Sequence, residues 1–258
     1  LNNKTISLVE GEKVENNQKQ PEALFEDYFV DFEEKFVNKD FKKLAKLQKN
    51  NMFNRKSWTR DNEITRCKLM KKLVIYLLGK NEKEVESFWS KKENEYMVYY
   101  GRSREKEKES KTSFETLKHG ILNEIIANKI LGKLSDFQFS MTNPEIDIDY
   151  KIDIIGVSND NKIILSIQVK QGSRYEKEKT LTVQEINKPE INDKTKNEFL
   201  KGCSRLKDEL NLDGKDIILK NIWITIPARE KIGEGGKYSH NLQDTIIQDI
   251  KKILELKN

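Results

Sequence analysis

The sequence predicts a mixed α/β protein, in which a helical N-terminal region precedes a domain that combines helices and strands. Apolar residues recur every three or four positions between Pro21 and Met97, as they do on the buried face of a helix. From Ile146 to Val157 they alternate with polar residues, as they do in a strand that is buried on one face. The elements that follow residue 112 are predicted in the order helix, three strands, helix, strand and helix.

The N-terminal part divides into a polar arm and a helical region. Residues 1–20 are rich in Asn, Lys, Glu and Gln and predict a flexible arm, with one short strand at Thr5–Val9. Residues 21–111 are the predicted helical region, with about four helices expected between Pro21 and about Met97. Their apolar positions are Leu24, Tyr28, Phe32, Phe36, Phe41, Leu44, Leu47, Leu69, Leu73, Tyr76 and Leu77. Arg102–Lys111 is dense in charge and is either a linker or an exposed helical extension.

Residues 112–258 predict the domain that contains the strands. The run Thr112–Glu115 matches a capping box, so a helix is expected to begin there and to end before Gly132. A short strand is predicted at Phe137–Ser140. The later elements are a helix, a strongly apolar strand and a final helix, predicted at Lys194–Leu210, Asp216–Ile226 and Leu242–Leu256.

An antiparallel hairpin is predicted in the middle of this domain. The strand at Ile146–Val157 is joined through the turn Ser158–Asn161 to a second strand at Lys162–Lys170. The apolar face of the first strand is expected to carry Ile146, Ile148, Tyr150, Ile152 and Ile154. Its polar face is expected to carry Asp147, Asp149, Lys151 and Asp153.

Composition limits the classes of protein that the sequence can encode. The 258 residues carry a net charge of +5 and 35% of them are charged, a balance that permits a nucleic-acid partner without requiring one. Cys67 and Cys203 lack the spacing of a zinc site, and we expect reduced thiols in a cytoplasmic protein. No membrane partner is expected, because no apolar run approaches the roughly 20 residues that span a bilayer. His119 and His240, the only histidines, are expected to be surface or packing residues.

Asp153, Gln168 and Lys170 are candidate catalytic residues, because the hairpin brings a carboxylate, an amide and an ammonium group to one edge of the sheet. Gln168 and Lys170 are two residues apart and are expected to share one face of their strand. Mg²⁺ prefers oxygen ligands, which Asp153, the Gln168 side chain and the Val169 carbonyl can supply. Such a metal would polarise a phosphate and acidify a water molecule, and Lys170 could stabilise the transition state.

Glu124 is a fourth candidate, on the helix that precedes the strands. On a helical wheel it falls between Leu117, Ile121 and Leu131, on the arc that is expected to be buried. A buried carboxylate requires a cation or strong hydrogen-bond donors, and a metal ion at the neighbouring sheet would supply the cation. Asn128, one turn later on the same arc, could assist.

Three short runs carry a resemblance to a known family: Gly120–Glu124, Lys151–Gly156 and Ile167–Lys170. Together they resemble the PD-(D/E)XK nuclease superfamily, in the branch that has Gln-x-Lys instead of Glu-x-Lys, as in some restriction endonucleases. The resemblance covers roughly residues 112–227. It implies a restriction-endonuclease-like αβββαβ core.

The resemblance also implies a role for each candidate. Asp153 and Gln168 would bind Mg²⁺, Glu124 would assist them, and Lys170 would be catalytic. The sequence departs from the family pattern in two respects. No proline immediately precedes Asp153, and Gln168 removes one negative charge from the metal site, which gives more weight to Glu124.

By this resemblance we expect a Mg²⁺-dependent endonuclease that cuts double-stranded DNA, closest in role to a Type II restriction endonuclease from an AT-rich prokaryote. Mn²⁺ is expected to replace Mg²⁺. A homodimer is expected, because cutting both strands symmetrically needs two sites. Two alternatives stay open. One is a repair, recombination or transposition nuclease of the same fold, and the other is a non-catalytic DNA-binding module on a decayed nuclease fold.

The identity of the carboxylate ligand also stays open. Asp147 and Asp149 share the predicted polar face with Asp153, and either could replace it. The resemblance favours Asp153, because the 15-residue step to Gln168 and the Ile-Ile-Gly that follows Asp153 fit the nuclease family better. The three aspartates could instead form the solvated face of an edge strand, with Lys170 as a cross-strand partner, but this leaves the buried helical carboxylate unexplained.

Candidate DNA contacts lie on loops and in the helical region. Two follow the strand of Lys170, three flank the loop Gly233–Gly236, and the last three are a tryptophan and two arginines around it. They are Ser173, Arg174, Arg229, Lys231, Lys237, Arg55, Trp58 and Arg60. The glycine loop lacks the Lys-Ser/Thr of a phosphate-binding loop and is expected to be flexible.

Overall fold

The structure is a computed structural model that describes residues 34–53, 58–100, 104–172, 181–191, 193–212, 215–226 and 238–255. The helices in this part of the chain are α1 (Glu34–Phe53), α2 (Arg60–Leu78), α3 (Glu82–Tyr100), α4 (Arg104–Leu131), α5 (Pro144–Tyr150), α6 (Lys194–Glu209) and α7 (His240–Glu255). The strands are β1 (Phe137–Met141), β2 (Ile154–Ser158), β3 (Ile163–Gln171), β4 (Thr182–Glu185) and β5 (Ile218–Ile226). The prediction of a mixed α/β protein is confirmed.

The chain is divided into two compact units. Among the described residues, the first unit contains 135–168 and 185–222, and the second contains 34–134, 169–184 and 223–255. The predicted arm and the strand at Thr5–Val9 lie outside the residues that the structure describes. None of the helices within those residues combines the length and the apolar composition that crossing a bilayer requires.

The helices of the second unit pack around an aromatic cluster. Helix α1 contacts α2 and α3, and α4 contacts α2, α3 and α7. The cluster consists of edge-on and tilted rings that are mostly buried, and its members are Phe41, Phe88, Trp89, Tyr96 and Phe114. Such ring pairs stabilise a core beyond the area that they bury. Three of the predicted N-terminal helices are therefore confirmed as α1, α2 and α3.

The predicted start of the helix at Thr112 is wrong. Helix α4 begins at Arg104, so the charged stretch before Thr112 is a helical extension and not a linker. The Thr112 hydroxyl donates to the Lys108 carbonyl over 2.9 Å, a bond that a threonine makes inside a helix. The predicted end is correct, because α4 stops at Leu131 and the Gly132 amide donates to the Asn128 carbonyl over 2.9 Å.

The strands form one five-stranded sheet in the order β1-β2-β3-β5-β4. The predicted hairpin is confirmed for β2 and β3, which pair antiparallel with Ile154 opposite Ile167. Strand β1 pairs antiparallel with β2. Strand β5 runs parallel to β3, since the Ile218 amide donates to the carbonyl of Lys162 beside the start of β3, and Gly172 beyond its end donates to Ile226.

Strand β4 is an element that the sequence did not predict. It is only four residues long, and its side chains are half-buried. Next to it, the Ile186 amide donates to the Asn221 carbonyl over 2.8 Å. The carboxylate of Glu185 forms an ion pair with Lys220 on β5, with 3.2 Å between the two groups. These contacts fix the position of a strand whose sequence alone is too short to give a clear alternation.

The first half of the predicted strand at 146–157 is wrong, because residues 144–150 form helix α5. The Asn143 side chain caps this helix by accepting from the Ile146 amide over 2.8 Å, and Pro144 occupies its first turn. Glu145 and Asp147 lie in the first turn, where carboxylates stabilise a helix. The local start signal therefore outweighs the alternation of apolar residues.

Helix α5 packs closely against α6 in the first unit. Gly202 on α6 faces the backbone of Tyr150, the last residue of α5, and a Cβ at Gly202 would collide with the Tyr150 carbonyl. The Tyr150 hydroxyl donates to Glu209 on α6. Burial and the Glu209 carboxylate together raise the pKa of Tyr150 to about 12. The end of α5 is thus fixed by a backbone contact and a side-chain contact.

We predict that Gly202→Ala lowers the free energy of unfolding by about 2–3 kcal/mol, because the methyl group forces α5 and α6 apart. Chemical denaturation measures this change. Gly120→Ala in α4 is the matched control, since its Cβ would meet only the Met70 side chain at 3.9 Å. Higher helix propensity should make that variant up to about 1 kcal/mol more stable. Equal losses in both variants would contradict the close packing of α5 on α6.

Candidate functional site

Asp153 lies in the short connection between α5 and β2. The residue that follows α5, Lys151, has a left-handed backbone with φ 59° and ψ 39°, which turns the chain sharply from the helix into the sheet. Two residues later, the Asp153 amide donates to the Ile167 carbonyl over 2.9 Å. Asp153 is thereby added to the hairpin one position before β2 begins.

Thr142, just after β1, holds the other side of this connection. Its amide donates to the Asp153 carbonyl over 3.1 Å. Its hydroxyl donates to the carbonyls of Ile152 and Asp153. Thr142 is buried, so these bonds form away from water. The backbone of Asp153 is therefore fixed from both neighbouring strands.

Gln168 lies directly across the hairpin from Asp153. The register that pairs Ile154 with Ile167 continues to place Gln168 opposite Asp153. The Nε2 atom of Gln168 donates to the Oδ2 atom of Asp153. Asp153 is only 5% exposed and Gln168 only 1%. The structure thus brings these two candidates together in a buried carboxylate–amide pair.

One acceptor of this pair has no partner. The Oε1 atom of Gln168 is buried and makes no hydrogen bond with any described residue. A buried polar atom left in this state costs about 1–3 kcal/mol. Exchanging the two ends of the amide would place Oε1 against the Asp153 carboxylate, an arrangement that is favourable only if a cation lies between the two oxygens. A buried carboxylate beside an orphaned amide oxygen fits the ligand preference of a divalent metal.

Lys170 and Val169 follow Gln168 in β3. Val169 is buried and Lys170 is half-buried. Both belong to the second unit, because the division of the chain passes through β3 after Gln168. Ser166 and Gln168 are as buried as their apolar neighbours, so both faces of β3 are covered.

Glu124 lies on α4 in the second unit and is half-buried, while Leu117, Ile121 and Leu131 are buried as predicted. The Asn128 side chain donates to the backbone carbonyl of Glu124 over 2.8 Å. Asn128 is therefore engaged within its own helix. This bond goes to the backbone carbonyl of Glu124, so it does not support the expectation that Asn128 assists the Glu124 carboxylate.

The two alternative carboxylates are not on the strand with Asp153. Asp147 and Asp149 lie on α5, where Asp147 is half-buried and Asp149 is exposed. The prediction that they share the polar face of a strand with Asp153 is wrong, because the helix separates them from β2. Of the three aspartates, Asp153 is the one that contacts Gln168.

The candidate DNA contacts are described only in part. Trp58 is half-buried and Arg60 is exposed, on either side of Thr59, which caps the start of α2. The other candidates lie outside the residues that the structure describes; they are Ser173, Arg174, Arg229, Lys231, Lys237 and Arg55.

Histidine and cysteine take no part in the buried pair. His119 lies 3.3 Å from the Glu115 carboxylate on the same helix, and His240 is exposed at the start of α7. Cys67 and Cys203 are free and buried. Burial raises the pKa of Cys203 to about 12, so its thiol is protonated at neutral pH.

Thr142 holds Asp153 in the first unit and Asn123 is buried in the second, and neither residue carries an obvious sequence signal. Thr142 was not a candidate, because its contacts depend on where the end of β1 lies. Asn123, next to Glu124, is 2% exposed, and neither polar atom of its side chain has a hydrogen-bond partner among the described residues. An Asn on the apolar arc of a helix is the only hint of this in the sequence.

Within the described residues, no three His, Cys, Asp or Glu side chains are grouped so that they could hold a metal ion. The candidate donor set here is of another kind, with one carboxylate and one amide oxygen. Comparisons with protein-family models, with curated proteins and with solved structures found no match for this chain. The resemblance to the nuclease superfamily therefore rests on the residues themselves.

We predict that Thr142→Val lowers the free energy of unfolding by about 1–2 kcal/mol, because the buried Ile152 and Asp153 carbonyls lose the hydroxyl as a donor, although the Asp153 carbonyl keeps the Thr142 amide. Thr142→Ser should retain most of the stability. Thr116→Val is the matched control: its exposed hydroxyl donates to the Thr112 carbonyl over 2.8 Å, and its loss should cost under about 0.5 kcal/mol. A Thr142→Val variant as stable as the control would show that the hydroxyl does not hold Asp153.

We predict that Gln168→Glu makes stability depend on pH, because two buried carboxyls in contact must share a proton. Sharing a proton raises the pKa of the carboxyl pair in the folded variant above its unfolded value. The free energy of unfolding is therefore highest below about pH 4 and falls as the pH rises, by up to ~1.4 kcal/mol per pH unit. Unfolding curves from pH 4 to 8 measure this loss. Gln138→Glu, at an exposed position of β1, is the control and should show no such slope. The same flat profile in both variants would refute the buried pair.

Proposed function

We propose that this chain is a Mg²⁺-dependent endonuclease that hydrolyses phosphodiester bonds in double-stranded DNA. The observation that carries the proposal is the buried pair of Asp153 and Gln168, in which the Gln168 Oε1 atom has no partner among the described residues. The sequence continues from this pair to Lys170 two residues later, as in the Gln-x-Lys branch of the PD-(D/E)XK nucleases. We further propose that the strands and helices that carry these residues form a restriction-endonuclease-like core.

The chain's own residues divide the work. Asp153 and Gln168 would hold a divalent cation through Oδ and Oε1, and the Val169 carbonyl would be a further ligand. The cation, when bound, would supply positive charge at the scissile phosphate and make water more acidic. Lys170 would stabilise the negative charge that develops on the phosphate. Glu124 would compensate for the charge that Gln168 lacks. Mn²⁺ should replace Mg²⁺, since both accept oxygen ligands.

The biological role that we propose is restriction of the Type II kind, with a homodimer that cuts the two strands of one duplex. A repair, recombination or transposition nuclease would use the same residues. A panel of plasmid, mismatched and branched DNA separates these roles. Discrete plasmid fragments would support restriction, whereas preference for a branched or mismatched duplex would support the others.

One observation favours a second candidate, a DNA-binding module without catalysis. The Asp153 carboxylate already accepts a hydrogen bond from Gln168, so one of its oxygens has a donor without any cation. A glutamine at this position could therefore mark a site that has lost its metal and kept its fold. The two candidates differ in one outcome, which is cleavage in the presence of Mg²⁺ or Mn²⁺.

We predict that plasmid DNA is cut in the presence of Mg²⁺ and that Asp153→Asn and Lys170→Gln each lower the cleavage rate by about 10²–10³-fold. Both substitutions remove the charge and keep the number of heavy atoms in the side chain. The matched controls are Asp149→Asn on α5 and Lys162→Gln before β3, which change exposed residues of the same types. They should cut at the wild-type rate.

Glu124→Gln tests the helical carboxylate separately, with the exposed Glu109→Gln on the same helix as its control. We expect the Glu124→Gln variant to need more Mg²⁺ for half-maximal cleavage than the wild type. Equal cleavage by wild type, Asp153→Asn and Lys170→Gln would exclude the proposed site. DNA binding without cleavage by any of them, with either metal, would support the non-catalytic module.

A further inference from the structure

Helix α1 is strongly basic. Its 20 residues contain six lysines and only two carboxylates, Glu34 and Asp40, while the whole chain has a net charge of only +5. Most of the positive excess of the protein is therefore concentrated in one element. The mixture of both signs elsewhere in the chain cancels almost completely.

The lysines of α1 lie on one face. At 100° per residue, five of them fall within an arc of about 120°. These five, which we call the lysine stripe, are Lys39, Lys42, Lys43, Lys46 and Lys49. The first four are exposed and Lys49 is half-buried. The stripe extends about 15 Å along the helix axis, at a rise of about 1.5 Å per residue.

Packing fixes which face of α1 is turned to water. The opposite arc carries the residues that are buried against α2 and α3, namely Val37, Phe41, Leu44 and Ala45. The one carboxylate near the middle of the helix, Asp40, forms an ion pair with Lys72 on α2 at 3.3 Å. Asp40 is thereby directed to α2 and does not neutralise the stripe. No carboxylate in the described part of the chain pairs with Lys39, Lys43 or Lys46.

An ordinary solvated helix face has a different composition. In the same unit, α3 exposes both signs together: Glu82, Lys83, Glu84, Glu86 and Lys91. Interspersed charges of this kind keep a surface soluble without creating a field of one sign. An arc whose charged residues are all lysines creates such a field, which attracts polyanions.

We propose that the lysine stripe is a binding surface for the phosphate backbone of double-stranded DNA. Its length of about 15 Å equals the axial rise of roughly four base pairs, at 3.4 Å per pair, so the stripe is long enough to contact several phosphates of one duplex. A lipid surface fits less well, because a helix that binds a bilayer uses its apolar face, and that face of α1 is buried within the protein. The choice of DNA rests on the proposed function, whereas the choice of a polyphosphate backbone rests on the stripe alone.

The surface makes contacts with phosphate only, so it supplies affinity and not sequence recognition. Each phosphate contact releases a counterion, and the logarithm of the binding constant falls with the logarithm of the salt concentration by about 0.9 per contact. Removal of three lysines should therefore weaken binding to every duplex alike. Removal of three lysines should also reduce the slope of the logarithm of the binding constant against the logarithm of the salt concentration by nearly three.

The test is a triple variant in which Lys39, Lys43 and Lys46 are changed to Gln. Fluorescence anisotropy with a labelled 30-base-pair duplex, in EDTA and at 50 to 200 mM salt, measures binding without cleavage. We expect at least a tenfold loss of affinity at 100 mM salt and a salt slope that is smaller by about two to three. The corresponding Lys→Arg triple variant should bind like the wild type, because it keeps the charge.

The control is a second triple variant with the same loss of charge, Lys68→Gln, Lys83→Gln and Lys91→Gln, at exposed positions of α2 and α3. It should lose less than threefold. Equal losses in both triple variants, or a wild type that does not bind DNA, would overturn the proposal. So would stripe-dependent binding to vesicles of anionic phospholipid with none to DNA. If the stripe variant loses DNA binding but the wild type never cuts plasmid, this proposal stands and the nuclease proposal fails.

Discussion

The contact between Asp153 and Gln168 is the constraint on which the organisation of the first unit depends. Removing a carboxylate from water is costly unless hydrogen bonds or a cation compensate for the lost solvation. Several unusual features coincide at this position: the left-handed backbone of Lys151, the close approach of Gly202 to α5, and the Thr142 hydroxyl beneath Asp153. Each of them fixes the chain where it enters the sheet. Together they hold a polar pair at a depth where most proteins place apolar side chains.

Much of the fold follows from the sequence because hydrophobic periodicity decides it. The helices α6 and α7 and the strands β3 and β5 agree with prediction to within about two residues, since each is long and strongly patterned. Hydrophobic periodicity does not predict the structure of residues 144–150. Their alternation is that of a strand, yet the cap at Asn143 and the proline after it start a helix, and both signals were present in the sequence. Strand β4 depends on tertiary pairing, which no local pattern encodes.

The candidate site was predictable only as far as one hairpin determines it. Antiparallel pairing of two neighbouring strands is enough to place Asp153 opposite Gln168. Thr142 could not be found in this way, because it reaches Asp153 from a third segment of the chain. The lysine stripe is visible in the sequence as a repeat, but only the packing of α1 shows that its first four lysines are exposed, opposite the face that is buried. Sequence supplies the chemistry of these residues, and tertiary structure supplies their burial and their partners.

The claim that Asp153 and Gln168 form a divalent-cation site is tested most directly by Mn²⁺ binding, measured by the loss of the free Mn²⁺ signal in electron paramagnetic resonance. With a DNA duplex present, the wild type should bind Mn²⁺ stoichiometrically at one site. Asp153→Asn should abolish this binding, while Asp149→Asn on exposed α5 should leave it intact. If Asp153→Asn binds Mn²⁺ as tightly as the wild type, the buried pair is not a metal site and the account is wrong.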